Sequence, residues 1–237
     1  MVCRGPTCHV WAVFLALVGI PNYKSDTRVY HWPGTLNYGL ELKDYGGVLL
    51  IASGATACEV LAQIKPNGWI HVDLQCLPVI YPNEPNKIVS TIKALIKKYQ
   101  IEYAEILIIY ADFGTGSQLQ NLCDGMGLSM ISGQHCYSFY EGNANFEARQ
   151  EFAYFYLTYF LVRKFDAFFW RPMGLGRHPQ LLQMYFGHYT TLVYQAQIQD
   201  ALLEKKAKDC ARSMKSIYEY RFTGFGDLAV ALDATVE

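Results

Sequence analysis

The sequence predicts an α/β fold: a mostly parallel sheet with βα crossovers, followed by an aromatic-rich helical region and a final strand. Three observations carry this. A continuous apolar run at residues 106–110 has the pattern of a strand covered on both faces, and residues 47–52 and 70–77 supply two further short strands. Segments of helical period lie between them. Gly and Pro punctuate the joints, so each strand hands over to a helix, and strands separated by helices form parallel sheets with right-handed crossovers.

The elements follow in order. Residues 47–52 (GVLLIA) make the first strand, which ends at Ser53-Gly54, and residues 56–65 form a helix stopped by Pro66 and Gly68. Residues 70–77 form the next strand, ending at Cys76-Leu77-Pro78. In the helix after Pro85, residues Ile88, Ile92, Leu95, Ile96 and Tyr99 recur at helical spacing. Lys93, Lys97 and Lys98 lie off that stripe, a solvated face that also complements the helix C-terminus. Residues 106–110 are a third buried strand. Asp112-Phe113-Gly114-Thr115-Gly116-Ser117 then leads into a short helix whose free N–H groups are suited to an anion or polar ligand. A fourth strand is expected to end in His135-Cys136.

Parallel strands deliver their C-terminal ends to one rim, where ligands of open α/β sheets bind. Ser53-Gly54, Cys76, residues 112–117 and His135-Cys136 are scattered in the sequence, yet each falls at such an end. They are therefore candidates to face one crevice. Taken singly, a buried cysteine is usually a small core residue and a Gly-x-Gly is usually a turn.

Beyond Gly142 the chain reads as helical. Residues 151–170 carry aromatic and aliphatic side chains around nearly the whole circumference of a helix, which implies burial on several sides. Arg163, Lys164 and Asp166 interrupt it after too short an apolar run for a membrane span. Residues 180–214 read as one long or broken helix. Residues 217–222 are the last strand, ended by Gly224 and Gly226.

Composition narrows the classes. With 20 basic and 21 acidic side chains the net charge is −1, so no global field recruits a polyanion and nucleic acid is not expected as a partner. Eighteen Tyr, 13 Phe and 4 Trp suit a large core or a subunit interface. The 7 cysteines include no Cys-x-x-Cys pair, which fits free thiols in a reducing, cytoplasmic setting. Residues 10–20 are apolar but lack a small-x-small cleavage site, so a packed strand or short helix is expected there. Cys3, Cys8 and His9 match neither a haem-attachment nor a common zinc spacing. Residues 22–45 read as loop, leaving 46–237 as a single α/β domain.

The segments IASGATACEV, CLPVIYPNEPNKI, YADFGTGS, SGQHCYSFYEG, LTYFLVRKFD, GRHPQLLQMYFGHYTTLVYQAQ and YEYRFTGFGDL resemble the prokaryotic family catalogued as domain of unknown function 1638. They run in family order from about residue 48 to 228; residues 1–45 match poorly. The resemblance implies a cysteine before Gly54, a cysteine at 76, a histidine at 82, a cysteine at 113 and His-Cys at 135 and 136. Ser53, Pro82 and Phe113 depart from it. Cys76, His135 and Cys136 remain as a metal set, weakened by those departures, with an aspartate ligand from Asp112 as an addition. Glu59, Gly54, Asp112, Gly114, Thr115, Gly116 and His178 fit the family pattern.

The resemblance also implies a link to corrinoid-dependent methyltransferase systems, an association of genes and not a mechanism. Three functions follow as expectations. The first is a small-ligand or cofactor-binding accessory protein of corrinoid or one-carbon metabolism. The second is an enzyme using Cys136 or Cys76 as nucleophile or metal ligand, with His135 or His178 handling protons. The third is a degenerate paralogue acting through protein association. The expected partner is a small molecule, with a second copy of the chain or a methyltransferase-system protein as further candidates; a membrane is not expected.

Overall fold

The structure, a computed structural model, describes residues 40–42, 47–78, 85–111 and 115–236. The expectations for residues 10–20 and for Cys3, Cys8 and His9 lie outside the described residues. Within the stretch taken from the sequence as a single domain, the chain divides into two compact units. One runs to Phe139 and includes the C-terminal helix from Gly226; the other is Tyr140–Phe225.

The first unit contains β1 (Leu40–Leu42), β2 (Val48–Ser53), α1 (Ala57–Asn67), β3 (Val72–Leu77), α2 (Pro85–Tyr99), β4 (Glu105–Ile109), α3 (Gln118–Met126) and β5 (Ser129–Met130). Its sheet has the order β1-β3-β2-β4-β5, parallel throughout except for β1 against β3. Because β3 and β4 lie on opposite sides of β2, the strand order reverses beside β2. Such a reversal opens a crevice at the strand C-termini. Leu49, Ile51, Ile106 and Ile108 pack on Ile88, Ile92 and Ile96 of α2 and Leu119 of α3. Alternate residues Leu50, Ala52, Leu107 and Ile109 are also buried, so both faces of these strands are covered. Gly68 closes α1 in the left-handed conformation (φ 64°), which a glycine adopts without strain.

Three corrections apply here. Residues 22–45 are not all loop, since Leu40–Leu42 pairs with β3. Pro66 falls inside the last turn of α1, which runs on to Asn67. The strand expected to end in His135-Cys136 is only Ser129–Met130, and Cys136 instead opens the helix α4 (Cys136–Glu141).

The second unit holds the larger correction. The stretch beyond Gly142 is not helical throughout but contains a second parallel sheet, β6-β7-β8. After α5 (Asn143–Arg149) come β6 (Tyr154–Leu157), α6 (Tyr159–Phe165) and a π-helical turn at Asp166–Trp170. The supposed helix at 180–214 resolves into α7 (Gln180–Phe186), β7 (Thr191–Ala196) and α8 (Ala201–Met214). The last strand lies where expected, as β8 (Ile217–Phe222), and α9 (Gly226–Val236) follows. An apolar run of strand length fits a buried strand as well as a buried helix, so burial alone could not separate them.

This second sheet has two chemically different faces, as strand alternation requires. Phe155, Leu157, Leu192, Tyr194 and Ala196 join Leu203, Ala207, Cys210 and Met214 of α8 in an aromatic-rich core. Phe169 sits 5.1 Å from Phe155 and 4.6 Å from Phe186, centroid to centroid. Tyr156, Gln195, Glu219 and Arg221 share the opposite, polar face. Asp200 caps α8, its Oδ1 accepting from Leu202 N at 2.9 Å and Leu203 N at 3.1 Å. Asp200→Ala is expected to cost about 1 kcal/mol in urea denaturation. An unchanged midpoint would mean that water replaces the cap at no cost.

Candidate functional site

The site is built on the C-terminal rim of the first sheet. Register places Ser53 beside Leu77 and Ala52 beside Cys76, so the end of β2 meets the end of β3. Ile109, the last residue of β4, pairs with Ala52 on the other side. The turn after β2 is closed by its own hydrogen bonds. Ser53 Oγ accepts from Ala55 N (3.2 Å), Thr56 Oγ1 donates to Ser53 O (2.9 Å), and Gly54 N donates to Leu77 O (2.9 Å). The Ser53 hydroxyl therefore shapes the turn that starts α1.

That turn aims the first residues of α1 into the rim. Glu59 is buried, and its charge acts on Cys136; Cys58, one residue earlier, acts on Cys76. The α1 N-terminus thus links the β3 side of the rim to the start of α4. Thr115 is buried in the turn before α3, followed by Gly116 and Ser117, both left-handed (φ 58° and 65°). His135 stands immediately before α4, and its carbonyl accepts from Ser138 N (3.1 Å) and Ser138 Oγ (2.8 Å). Its ring lies 6.4 Å from that of Tyr137, centroid to centroid.

The electrostatics of this rim favour neutral groups. Burial, aided by the negative charge of Glu59, pushes the Cys136 thiol up to about 12. Burial, with Cys58 beside it, pushes the Cys76 thiol up to about 12 as well. Burial pushes the His135 imidazole down to about 4. At neutral pH the rim therefore presents two thiols and an uncharged imidazole that can donate at one nitrogen and accept at the other.

Not every expected residue joins this rim. Asp112, Phe113, Gly114 and Pro82 lie outside the described residues. His178 belongs to the other unit, where it is exposed after the turn at Gly174 and its N donates to Gly174 O at 2.9 Å. Among the described residues, no three His, Cys, Asp or Glu side chains are grouped to hold a metal ion, Cys76, His135 and Cys136 included. Nor is any helix among them long and apolar enough to cross a membrane.

The second unit contains a charge cluster that the sequence reading did not single out. Arg221 Nη1 reaches Glu141 Oε2 at 3.2 Å and Glu151 Oε2 at 3.1 Å, Nη2 reaches Glu151 Oε1 at 3.1 Å, and Nε reaches Glu219 Oε1 at 3.0 Å. Gln195 Nε2 adds a 3.0 Å bond to Glu141 Oε2, Arg149 pairs with Glu141, and Tyr156 Oη donates to Glu151. Burial opposes ionisation of Glu151, but hydrogen bonds from Arg221 and Tyr156 and the charges of Arg221 and Arg149 outweigh it and lower its pKa. The only sequence signal was the presence of Glu141 and Arg221 in two of the family-like segments. All five donors of the guanidinium face carboxylates, so the cluster locks the polar face of β6-β7-β8 and leaves no vacancy for a ligand.

The family described as "Protein of unknown function (DUF1638)" matches residues 76–232. No curated protein matches the chain, and no solved structure does.

Proposed function

We propose that this chain, which belongs to the family of proteins of unknown function DUF1638, is a cytoplasmic accessory protein that binds a small ligand or cofactor at the C-terminal rim of the β2-β3-β4 sheet. What supports the reading is that Ser53 and Cys76 lie at the ends of neighbouring strands beside the point where strand order reverses, that Cys58 at the start of α1 acts on Cys76, and that Glu59 acts on Cys136. The ligand this reading suits is polar and carries no negative charge, because beside the neutral imidazole and the two thiols the Glu59 carboxylate acts on Cys136. The family's association with corrinoid-dependent methyltransferase systems makes a cofactor or one-carbon carrier of such a system the first class to try.

Nucleophilic catalysis by cysteine is the poorer reading. A thiol held near 12 is thiolate in a negligible fraction at neutral pH, and the neighbouring Glu59 opposes ionisation of Cys136 further. The experiment is native mass spectrometry of protein purified anaerobically without chelator. The expected result is a non-covalent adduct on the wild-type chain that His135→Asn loses while keeping its fold. Bare polypeptide mass in both proteins, with no thermal shift across a panel of corrinoids, pterins and nucleotides, would remove the reading.

A further inference from the structure

Helix α4 (Cys136–Glu141) has six residues and is tied at both ends. A helix this short is marginal by itself, so tertiary contacts hold it. At its start Cys136 stands in the field of Glu59, and the carbonyl of the preceding His135 accepts from Ser138 N and Oγ at 3.1 and 2.8 Å. At its end the Glu141 carboxylate accepts from Arg221 Nη1 at 3.2 Å and Gln195 Nε2 at 3.0 Å, and pairs with Arg149. Between the two ends Tyr137, Ser138, Phe139 and Tyr140 are buried.

Glu141 is the wrong charge for its place. The last carbonyls of a helix carry a partial negative charge, so an acidic side chain beside them is disfavoured. Arg221 and Arg149 offset this by bringing cations to the same end. The chain then leaves the helical path at once, since Gly142 takes φ 89° and ψ 131°, and Asn145 Nδ2 donates back to Glu141 O at 3.1 Å. We propose that Glu141 and Arg221 are positioning residues for the rim, their ion pair fixing the helix whose other end carries His135 and Cys136. In six residues every i to i−4 hydrogen bond joins the last turn to the first, so the end at Glu141 cannot fray without releasing the start. Arg221 acts through Glu141.

Alkylation of the full chain with iodoacetamide under native conditions, each cysteine followed by peptide mass spectrometry, tests this. By helix propensity and dipole alone Glu141→Ala would tighten α4. The tie predicts the opposite: Cys136 should react about tenfold faster than in the wild type, because α4 opens by itself. Cys123 of α3 and Cys210 of α8, each buried in a different unit, should keep their wild-type rates. A merely structural loss would speed all three by the same factor. Arg221→Lys, which keeps a cation but not the planar fork, should fall between wild type and Glu141→Ala at Cys136, and it carries the same comparison if the alanine variant does not fold. An unchanged Cys136 rate, or an equal rise at Cys123 and Cys210, would overturn the proposal. What the tie serves rests on the rim being the ligand site, but alkylation needs no ligand. Bare polypeptide mass in native mass spectrometry would end the binding reading and leave a faster Cys136 standing, whereas an unchanged Cys136 beside a retained adduct would do the reverse.

Discussion

Arg221→Met is expected to destabilise the protein by about 3–5 kcal/mol, the cost of removing one partner from a buried ion cluster and leaving its carboxylates unpaired. Glu141 and Glu151 keep 5% and 15% side-chain exposure, so water cannot take over the guanidinium's role. Arg221→Lys should recover only part of the loss, because an ammonium has no planar fork to span three carboxylates. The pH dependence gives a sharper reading. In the wild type the Glu151 pKa lies below its ordinary 4.5, so its contribution is present above that value and is lost as pH falls through the folded pKa. In Arg221→Met, the burial of Glu151 is no longer outweighed by the guanidinium and raises its carboxyl pKa. Acidification toward pH 5 should then narrow the gap between variant and wild type. Urea midpoints across pH 4–8, with hydrogen exchange at β7 amides as a local probe, would show it. A loss under about 1 kcal/mol would reduce the cluster to an ordinary surface ion pair.

The reason this cluster could not be read from the sequence is geometrical. Glu141, at the end of α4, Glu151, just after α5, and Gln195 and Arg221, on the paired strands β7 and β8, are brought together over as many as 80 positions. No local pattern encodes that. The first unit was more legible because its signals are local: the apolar run of β2, the Ile88, Ile92, Ile96 stripe of α2 and the glycine after α1 each name their own element. β6 and β7 were misread as helix because YFYL is aromatic or aliphatic at every position and TLVYQA is buried along its whole length, polar Thr191 and Gln195 included, which hides the period that separates strand from helix. The rim itself was half legible. Strand-end reasoning set Ser53 and Cys76 at the ends of β2 and β3, where they are, and expected His135-Cys136 at the end of a strand, where Cys136 instead opens α4. His178, chosen on resemblance alone, sits in the other unit.

His135 offers the second large effect, because its environment sets both stability and binding. Burial holds its folded pKa near 4 against an ordinary value of 6.5. The unfolded chain takes up the proton first, so stability rises with pH between those values. The contribution is complete above 6.5 and is lost as pH falls toward 4. A shift of that size corresponds to about 3 kcal/mol. His135→Asn keeps a side chain that can donate and accept but does not titrate, so its stability should be flatter than the wild type's over this window. The acid loss from Glu151, which sets in below 4.5, should persist in the variant and separate the two groups. NMR titration of the imidazole in the folded protein checks the premise directly. A midpoint near 6.5 would show a solvated ring and end the argument. With the low midpoint established, ligand affinity should be constant above about pH 5 in the wild type and weakened at every pH in His135→Asn. Affinity that instead drops through pH 6.5 in both proteins would assign the binding proton to another group and leave His135 to its role of closing the rim.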